Sequence, residues 1–387
     1  MSHAGGPAPR PDAAGAGHGR RFERRAAMAL AGRLLLGAGA WLATPCAAPA
    51  RAGLDPALAR AALARARTLP GLHGLLVARH GEEVLAERLR GPRLDAPVNV
   101  KSVSKSVIAA LVGAAIARGV LEGVEQQVAP VLGDLVPADA DPRVGAITID
   151  HLLSMRAGLE RTSGRNYGRW VTSPDWLRHV LTRPFVAEPG GRMLYSTGSY
   201  HLLSAALTRA SGRSTLALAR DWLGEPLGIE IPPWTRDPQG FYLGGNNMAL
   251  SPRALLRFGE MYRQGGTWNG AKVLPRSWVE ASWTPRTSSF FTGHAYGYGW
   301  FLVRARGHPV AYAWGYGGQM LYVVPDLGLT AAITSDPDAP SGRNGYVRQL
   351  HGLLADGIVP AAERAGAIRE SASRQRTRPG LWADQQH

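Results

Sequence analysis

The chain has 387 residues, which is enough for one large domain or for two interleaved subdomains. Hydrophobic residues make up 45% and charged residues 19%, as in an ordinary soluble globular protein. Of the formal charge of +15, +5 falls in residues 1–52 and +2 in residues 361–387. The remaining +8 is spread along the chain without a dense run of basic and aromatic residues, which weighs against nucleic-acid binding.

Residues 1–52 have the pattern of a secretory signal segment. The basic stretch RRFERR precedes an apolar run and a small-residue cleavage site at 50–52, just before Gly53. This order predicts export to the periplasm or the extracellular space, with the Sec and Tat routes both open. An uncleaved membrane anchor is the alternative, but Arg33 interrupts the apolar run. We therefore expect no stable membrane span after cleavage.

Cysteine and histidine patterns give no sign of a metal or a cofactor. The single cysteine, Cys46, lies inside the signal-like segment, so the exported chain would carry neither a thiol nor a disulfide. The sequence contains no HExxH and no paired Cys/His spacing of the kind that binds zinc. We therefore expect chemistry without a metal ion or a cofactor.

In chain order, the first elements after the signal are a helix, a hairpin and a second helix. Residues 55–70 predict a short amphipathic helix, and 72–91 predict a hairpin around His80 and Gly81. Residues 103–119 are apolar nearly all round, which predicts a buried helix that ends at Gly119. In the next helix, expected at 148–159, Asp150 is placed as the N-cap and Gly158 as the residue that ends it. The remaining helices are expected at 199–212, 215–229, 251–266 (a surface helix capped by Ser251) and 275–283.

The last third of the chain changes character. Short aromatic and β-branched runs predict successive antiparallel strands at 296–304, 310–316, 320–328 and 329–335, and 344–358 predicts a closing helix. The polar, arginine-rich residues 361–387 predict a disordered tail. Strands near both ends and helices between them indicate an α+β domain over 53–360. Its sheet part would comprise 53–104 and 230–360, and its helical part 105–229.

Residues 101–106 read KSVSKS and contain two of the chain's three lysines. Ser102 and Lys105 form an S-x-x-K motif, and residues i and i+3 of a helix share one face. A serine hydroxyl needs a base, and a lysine beside an apolar helix can serve if burial lowers its pKa. The helix N-terminus would also stabilise an oxyanion at the Ser102 N–H. The alternative is an ordinary helix start with a solvated lysine, which the apolar run that follows disfavours.

Two later stretches add candidates for the same site. Tyr195 stands on a turn just before a helix, where its phenol would project into a cleft, although a buried aromatic with one hydrogen bond is the alternative. Tyr316-Gly317-Gly318-Gln319 begins a strand, and glycines there allow a backbone N–H to approach a ligand.

The chain resembles the serine hydrolases related to class C β-lactamases, the penicillin-recognising enzymes. The resemblance spans about residues 55–358 and is closest to the esterase and amide-hydrolase branch that includes the 6-aminohexanoate-oligomer hydrolases. It implies the β-lactamase/transpeptidase-like fold, an antiparallel sheet flanked by helices with a helical subdomain inserted. It rests on these stretches, in order: KSVSKSVIAALVGAAIARG, LLSMRAGL, PGGRMLYSTGSYHLLSAALTRASGRS, EPLGI, LSPRALLRFGEMYRQGG, WNGAKVLPRSWVEAS and YGYGWF…WGYGGQMLYVVP.

By position, the resemblance implies a role for each candidate. Ser102 matches the acylated nucleophile, Lys105 the lysine that accepts its proton, and Tyr195 the tyrosine that shuttles protons. The stretch Tyr316-Gly317-Gly318 matches the third motif, whose strand supplies an oxyanion N–H, here assigned to Gln319, beside that of Ser102. The implied substrate is a small-molecule ester, amide or lactam.

Two positions depart from the β-lactamase pattern. The second motif reads Tyr195-Ser196-Thr197 where Tyr-x-Asn is usual, and the third begins with Tyr316 where Lys or His is usual. A neutral phenol cannot supply the charge that the lysine offers to a substrate carboxylate. We therefore expect poor β-lactam hydrolysis but an intact acylation apparatus.

Other functions stay open on sequence alone. A cell-wall D-Ala peptidase, a weak class C-type β-lactamase and a non-catalytic penicillin-binding-like module are alternatives to an esterase or amidase. A Ser-His-Asp triad also stays open because its members meet in space, although the G-x-S-x-G elbow is absent. Its histidine would be His201, His294, His308 or His351. The sequence predicts neither the acyl and leaving groups nor the oligomeric state.

Overall fold

The computed structural model describes residues 53–341 and 345–376. The predicted signal segment, residues 1–52, therefore lies outside the described residues. So do 342–344 and the end of the predicted tail, 377–387.

The strands form one large antiparallel sheet and two small ribbons. The large sheet has eight strands in the order β2-β1-β12-β11-β10-β9-β8-β7, and β3–β4 and β5–β6 are separate pairs. Strands from both ends of the described chain therefore meet in its centre, as the sequence pattern predicts. The strands are β1 Leu72–Arg79, β2 Glu82–Arg88, β3 Val98–Asn99, β4 Ala249–Leu250, β5 Thr267–Trp268, β6 Ala271–Lys272, β7 Thr287–Ser288, β8 Ala295–Tyr296, β9 Phe301–Ala305, β10 His308–Gly315, β11 Gln319–Val324 and β12 Leu329–Ser335.

Helices fill the middle of the chain and cover the sheet. Two short π-helical turns, Arg220–Gly224 and Leu354–Ile358, join neighbouring helices. The helices are α1 Pro56–Arg67, α2 Ser104–Ala117, α3 Val128–Leu132, α4 Ile149–Leu153, α5 Tyr167–Val171, α6 Trp176–Leu181, α7 Thr197–Ser211, α8 Thr215–Ala219, α9 Glu225–Leu227, α10 Pro252–Arg263, α11 Arg276–Ser282, α12 Tyr346–Leu353 and α13 Val359–Arg376.

Both faces of the large sheet are covered. Successive side chains of a strand point to opposite faces. Leu321 of β11 lies directly against Gly259 of α10, whereas the next residue, Tyr322, meets His351 of α12 on the other face. Helix α10 was predicted as a surface helix, but its apolar face packs on β1, β11 and β12, so most of it is buried. These observations confirm the predicted α+β fold class.

The predicted disordered tail is wrong for residues 361–376. Helix α13 continues from Val359 through this segment, and Ala361 and Ala362 are buried. The Ala361 carbonyl accepts a hydrogen bond from the Asp55 N–H at 2.9 Å, just before α1. Small apolar residues that pack on α1 keep the helix ordered there despite the polar composition that follows.

Asp150 is not the N-cap that the sequence predicts. Thr148 caps α4 instead and accepts from the His151 N–H at 3.2 Å. The Asp150 carboxylate is buried and accepts from Arg156 Nη2 at 2.5 Å and from the Tyr298 hydroxyl at 2.6 Å. Arg286 adds a longer ion pair at 3.8 Å. Asp150 thus ties helix α4 to the sheet side of the chain, because Tyr298 lies between β8 and β9.

Removal of the Asp150 carboxylate should lower the stability of the fold. We expect Asp150→Ala to lower the free energy of unfolding by about 3–5 kcal/mol, because it leaves the partly buried Arg156 guanidinium and the buried Tyr298 hydroxyl without their partner. Asp150→Asn keeps an acceptor and should cost less. The exposed pair Asp139–Arg178 is the matched control, and Asp139→Ala should cost about 1 kcal/mol or less. Urea unfolding of the three variants measures this, and equal losses at Asp150 and Asp139 would contradict it.

Candidate active site

Ser102 lies in a tight turn that leads directly into the buried helix α2. Residues Lys101–Val103 form one 3-10 turn, and Lys101 takes a positive φ of 50°. This strained conformation is held from both sides: the Asn99 side chain accepts from the Lys101 N–H at 2.9 Å, and Ser104 Oγ donates to the Lys101 carbonyl at 2.5 Å. The turn fixes where the Ser102 side chain leaves the backbone.

Lys105 contacts Ser102 as the S-x-x-K spacing predicts. Its Nζ lies 2.9 Å from Ser102 Oγ, 2.6 Å from the Gly245 carbonyl oxygen and 3.3 Å from Thr197 Oγ1. The side chain is only 1% exposed, and this burial lowers the pKa of Lys105 to about 7. A large fraction of the lysine is therefore neutral near pH 7, and a neutral amine can take the Ser102 proton.

This pKa predicts the pH dependence of the reaction. An ammonium has no lone pair, so activity should fall as the pH drops below the pKa of Lys105. We expect the logarithm of kcat/KM on an uncharged ester to rise with pH at a slope of one up to about pH 7, and then to level off. Rates between about pH 5 and pH 9, followed at the isosbestic wavelength of the released nitrophenol, measure this. A flat profile over that range would contradict the role of Lys105 as base.

Tyr195 lies close to both Lys105 and Ser102. Its ring centroid lies 5.0 Å from Lys105 Nζ, and its ring stacks on Phe301 at 6.3 Å. Burial raises the pKa of Tyr195 to about 12, while contact with the Ser102 hydroxyl acts in the opposite direction. The phenol therefore keeps its proton at neutral pH and can donate it.

Thr197 replaces the asparagine expected two residues after Tyr195. It is the first residue of α7, and its hydroxyl lies near Lys105 Nζ, as given above. Ser163 is its partner, since the two hydroxyl oxygens are 2.9 Å apart. The altered second motif thus still gives the lysine a polar neighbour.

The third stretch, residues 316–319, lies near the turn that carries Ser102, but its members have different environments. Gly315, the last residue of β10, sits so close to the Val100 carbonyl that any Cβ would clash. Tyr316, which follows it, is 50% exposed. Gly317 and Gly318 have positive φ, and their α-carbons pack against Asp336 and Tyr346. The positive φ and the close packing at these two positions are sufficient to explain why both residues are glycine.

The Gln319 side chain is structural. It is fully buried, and its amide donates to the Ser335 carbonyl at 2.8 Å and accepts from the Ser335 N–H at 3.1 Å. This exchange holds the start of β11 to the end of β12. The role proposed for Gln319 concerns its backbone N–H alone and stays a prediction.

The histidines do not form a triad with Ser102 in the part of the chain that the structure describes. His201 pairs with Asp237 at 2.9 Å, both side chains are fully buried, and the His201 ring contacts the rings of Trp170 and Trp176. The other three bond elsewhere: His294 to Tyr312, His308 to Asp326 and Glu363, and His351 to Tyr322. The titratable side chain that contacts Ser102 through its nitrogen is that of Lys105.

Sequence reasoning missed three parts of this site. Thr197 was noted only as a departure, although its position two residues after Tyr195 was a usable signal. Ser163 and Gly245 gave none, because each belongs to a loop far from Ser102 in the chain.

Within the described ranges, no cluster of three or more His, Cys, Asp or Glu could hold a metal ion. No described helix has the length and apolarity that a membrane span requires.

The chain is similar to a known family and to solved structures. A family model described as Beta-lactamase matches residues 59–355. A solved chain provisionally named 6-aminohexanoate-dimer hydrolase, from Bacillus anthracis, is similar with a TM-score of 0.63 at 17% identity, over 77% of this chain and 80% of that chain. EstCE1, described as a hydrolase with promiscuous acyltransferase activity, gives 0.64 at 19% identity over 78% and 96%. At these identities the likeness shows the fold.

Similarity to curated sequences is short. The protein named "Probable fimbrial assembly protein FimD, serogroup H1", from Dichelobacter nodosus, is 36% identical over 93 residues. That alignment covers 22% of this chain and 23% of the relative, so this chain spans less than a quarter of that protein's length. The family match covers most of the described domain, and it includes Ser102, Lys105 and Tyr195. The chain therefore belongs to the beta-lactamase family.

Proposed function

We propose that the protein hydrolyses carboxylic esters or amides through an acyl-enzyme at Ser102. The observation that carries this proposal is the 2.9 Å contact between Ser102 Oγ and the buried Lys105 Nζ. A buried lysine with a lowered pKa is the kind of base that a serine nucleophile needs. The neighbours named as a 6-aminohexanoate-dimer hydrolase and as the hydrolase EstCE1 support this choice of substrate class.

The proposed reaction has two halves. Neutral Lys105 takes the hydroxyl proton of Ser102 while Oγ attacks the substrate carbonyl carbon. The oxyanion faces the Ser102 N–H and a second N–H from the 316–319 turn, assigned to Gln319. The leaving group departs with a proton from Tyr195, which regains one from Lys105. In the second half, water attacks the acyl carbon and gives a proton to Tyr195, which passes one to Lys105. Lys105 returns a proton to Ser102 Oγ as the acid leaves.

The third stretch favours a substrate other than a β-lactam. Tyr316 occupies the position where β-lactamases carry a cation, and an exposed neutral phenol attracts a carboxylate only weakly. Lys101, the residue before Ser102, does not supply a free cation here, because it faces Asp338 with 3.6 Å between Nζ and Oδ1. An uncharged ester or amide needs no cation at this position, so its binding is unaffected. A β-lactam loses the ion pair that a cation there would make with its carboxylate.

Initial rates on three chromogenic substrates test this assignment. We expect the enzyme to hydrolyse p-nitrophenyl butyrate fastest, a matched nitroanilide more slowly and nitrocefin least, with Ser102→Ala as the background for each. A nitrocefin rate above the ester rate would replace the proposal with a β-lactamase. No turnover on any substrate, despite thermal stabilisation by the same compounds, would replace it with a non-catalytic binding module.

We also propose that the chain is exported and that residues 1–52 are removed. The support is the sequence pattern alone: a basic stretch, an apolar run and a small-residue site before Gly53. Expression of the full chain in a bacterial host, followed by fractionation and N-terminal sequencing, tests this. A periplasmic or extracellular product that begins at Gly53 is expected, and an uncleaved product in the cytoplasm would contradict export.

A further inference from the structure

We propose that the hydroxyls of Thr197 and Ser163 form a second proton route, alongside Tyr195, between Lys105 and the substrate cleft. This inference rests on the proposed acyl-enzyme reaction and adds two residues to it.

The three partners of Lys105 fix the direction of its lone pair. A neutral amine has two N–H donors and one lone pair. The Gly245 carbonyl, at 2.6 Å, can only accept, so it takes one N–H. The lone pair must face Ser102 Oγ, at 2.9 Å, if Lys105 is to remove that proton. The second N–H then points to Thr197 Oγ1, at 3.3 Å.

Thr197 must therefore direct its own hydrogen elsewhere. Its hydroxyl accepts from Lys105, and the hydroxyl of Ser163 lies 2.9 Å away as the acceptor for the Thr197 hydrogen. Ser163 Oγ also accepts from the Thr197 backbone N–H at 2.8 Å. With two donors on its oxygen, Ser163 keeps its own hydrogen free to point outward. Ser163 is only partly buried, and no acceptor for that hydrogen is found in the described part of the chain.

Proton transfer along this chain balances in both halves of the reaction. After the attack, Lys105 carries the Ser102 proton. It gives its other proton to Thr197, Thr197 gives its hydrogen to Ser163, and Ser163 gives its hydrogen to the leaving group. In deacylation, water supplies a proton to Ser163 and the transfers run back to Lys105, which returns a proton to Ser102 Oγ. Each hydroxyl gains one proton and loses one, and the starting orientations return.

The competing explanation is that these hydroxyls only join two loops. Thr162, the neighbour of Ser163, provides the matched control for this role. Its Oγ1 accepts from the Gly198 N–H at 2.8 Å and lies 3.1 Å from Ser196 Oγ, so it joins the same two segments. No described contact joins Thr162 to Lys105. Loss of the Thr162 hydroxyl thus weakens the junction and leaves the proposed route whole.

Four variants separate the two explanations: Ser163→Ala, Thr197→Val, Thr197→Ser and Thr162→Val. We expect the first two to lower kcat on an ester by about tenfold or more, since positioned proton transfer contributes at least this much. Thr197→Ser should recover most of that loss, and Thr162→Val should keep kcat within about twofold. Unfolding curves for all four show whether each variant is folded under the assay conditions.

Rates in mixtures of H2O and D2O supply a readout that loop joining would not change. For the wild type, we expect kcat to depend on the fraction of D2O along a curve, because several protons move in the same transition state. For Ser163→Ala and Thr197→Val, we expect this dependence to be nearly linear. Wild-type kcat and curvature in folded Ser163→Ala would overturn the proposal. Equal losses in Thr162→Val and Ser163→Ala, with the curvature unchanged in both, would also overturn it. Failure of the proposed function is distinct, since the wild type would then match Ser102→Ala on every substrate.

Discussion

Ser102→Ala is expected to lower kcat on an ester substrate by about 10⁴-fold or more, because it removes the hydroxyl that lies 2.9 Å from Lys105 Nζ and that we propose forms the acyl-enzyme. The variant should fold normally, since Ser102 is only partly buried and contributes no packing that alanine lacks. Stopped-flow and steady-state rates on p-nitrophenyl butyrate measure the loss. Circular dichroism and an unfolding curve confirm that the fold is intact.

Ser106→Ala is the matched control for this change. Ser106 lies four residues further along, and its buried hydroxyl donates to the Gly299 carbonyl at 2.6 Å. Loss of that bond should cost stability by about 1 kcal/mol while kcat stays close to the wild-type value. If Ser102→Ala kept more than about a tenth of the wild-type kcat, the nucleophile would be a different residue.

Lys105→Arg is expected to lower kcat/KM by about 10³-fold or more, although both side chains are basic. An arginine cannot lose its proton in a protein, so it cannot act as a base. Its planar guanidinium also needs more room than the buried Nζ site offers between Ser102, Thr197 and the Gly245 carbonyl. Lys105→Met, which keeps the length without the charge, should lose activity to a similar extent. Its residual rate should lack the rise toward pH 7.

The control for these variants is Lys101→Arg. Lys101 stands one residue before the nucleophile, but its ammonium faces the exposed Asp338 rather than Ser102. An arginine can make the same ion pair, so the rate should change by less than about threefold. Activity in Lys105→Arg above a tenth of the wild-type value, with Lys101→Arg more damaging, would exchange the roles of the two lysines.

The fold class and the central contact could be predicted from the sequence because both depend on local patterns. Alternating apolar runs predicted the β1–β2 hairpin, and His80 and Gly81 at its turn both have the positive φ that such a tight turn requires. The S-x-x-K spacing predicted the Ser102–Lys105 contact, although Ser102 lies in a 3-10 turn rather than in the helix itself.

The errors arose where contacts between distant segments decide the outcome. Asp150 has the local pattern of a cap, but Tyr298, 148 positions along the chain, offers it a buried partner. The start of the predicted tail is helical because Ala361 and Ala362 are buried, and composition alone does not reveal that burial. Gly245 and Ser163 escaped notice for the same reason, since Gly245 lies 140 positions from the lysine it contacts.

Covalent labelling tests the central claim most directly. The purified protein is incubated with a fluorophosphonate, and the intact mass is measured before and after peptide mapping. The mechanism predicts one adduct per chain, carried by the peptide that contains Ser102, formed faster above pH 7 than below it, and absent from Ser102→Ala. An adduct that persists in Ser102→Ala, or no adduct on a folded wild-type protein, would contradict the assignment of Ser102 as the nucleophile.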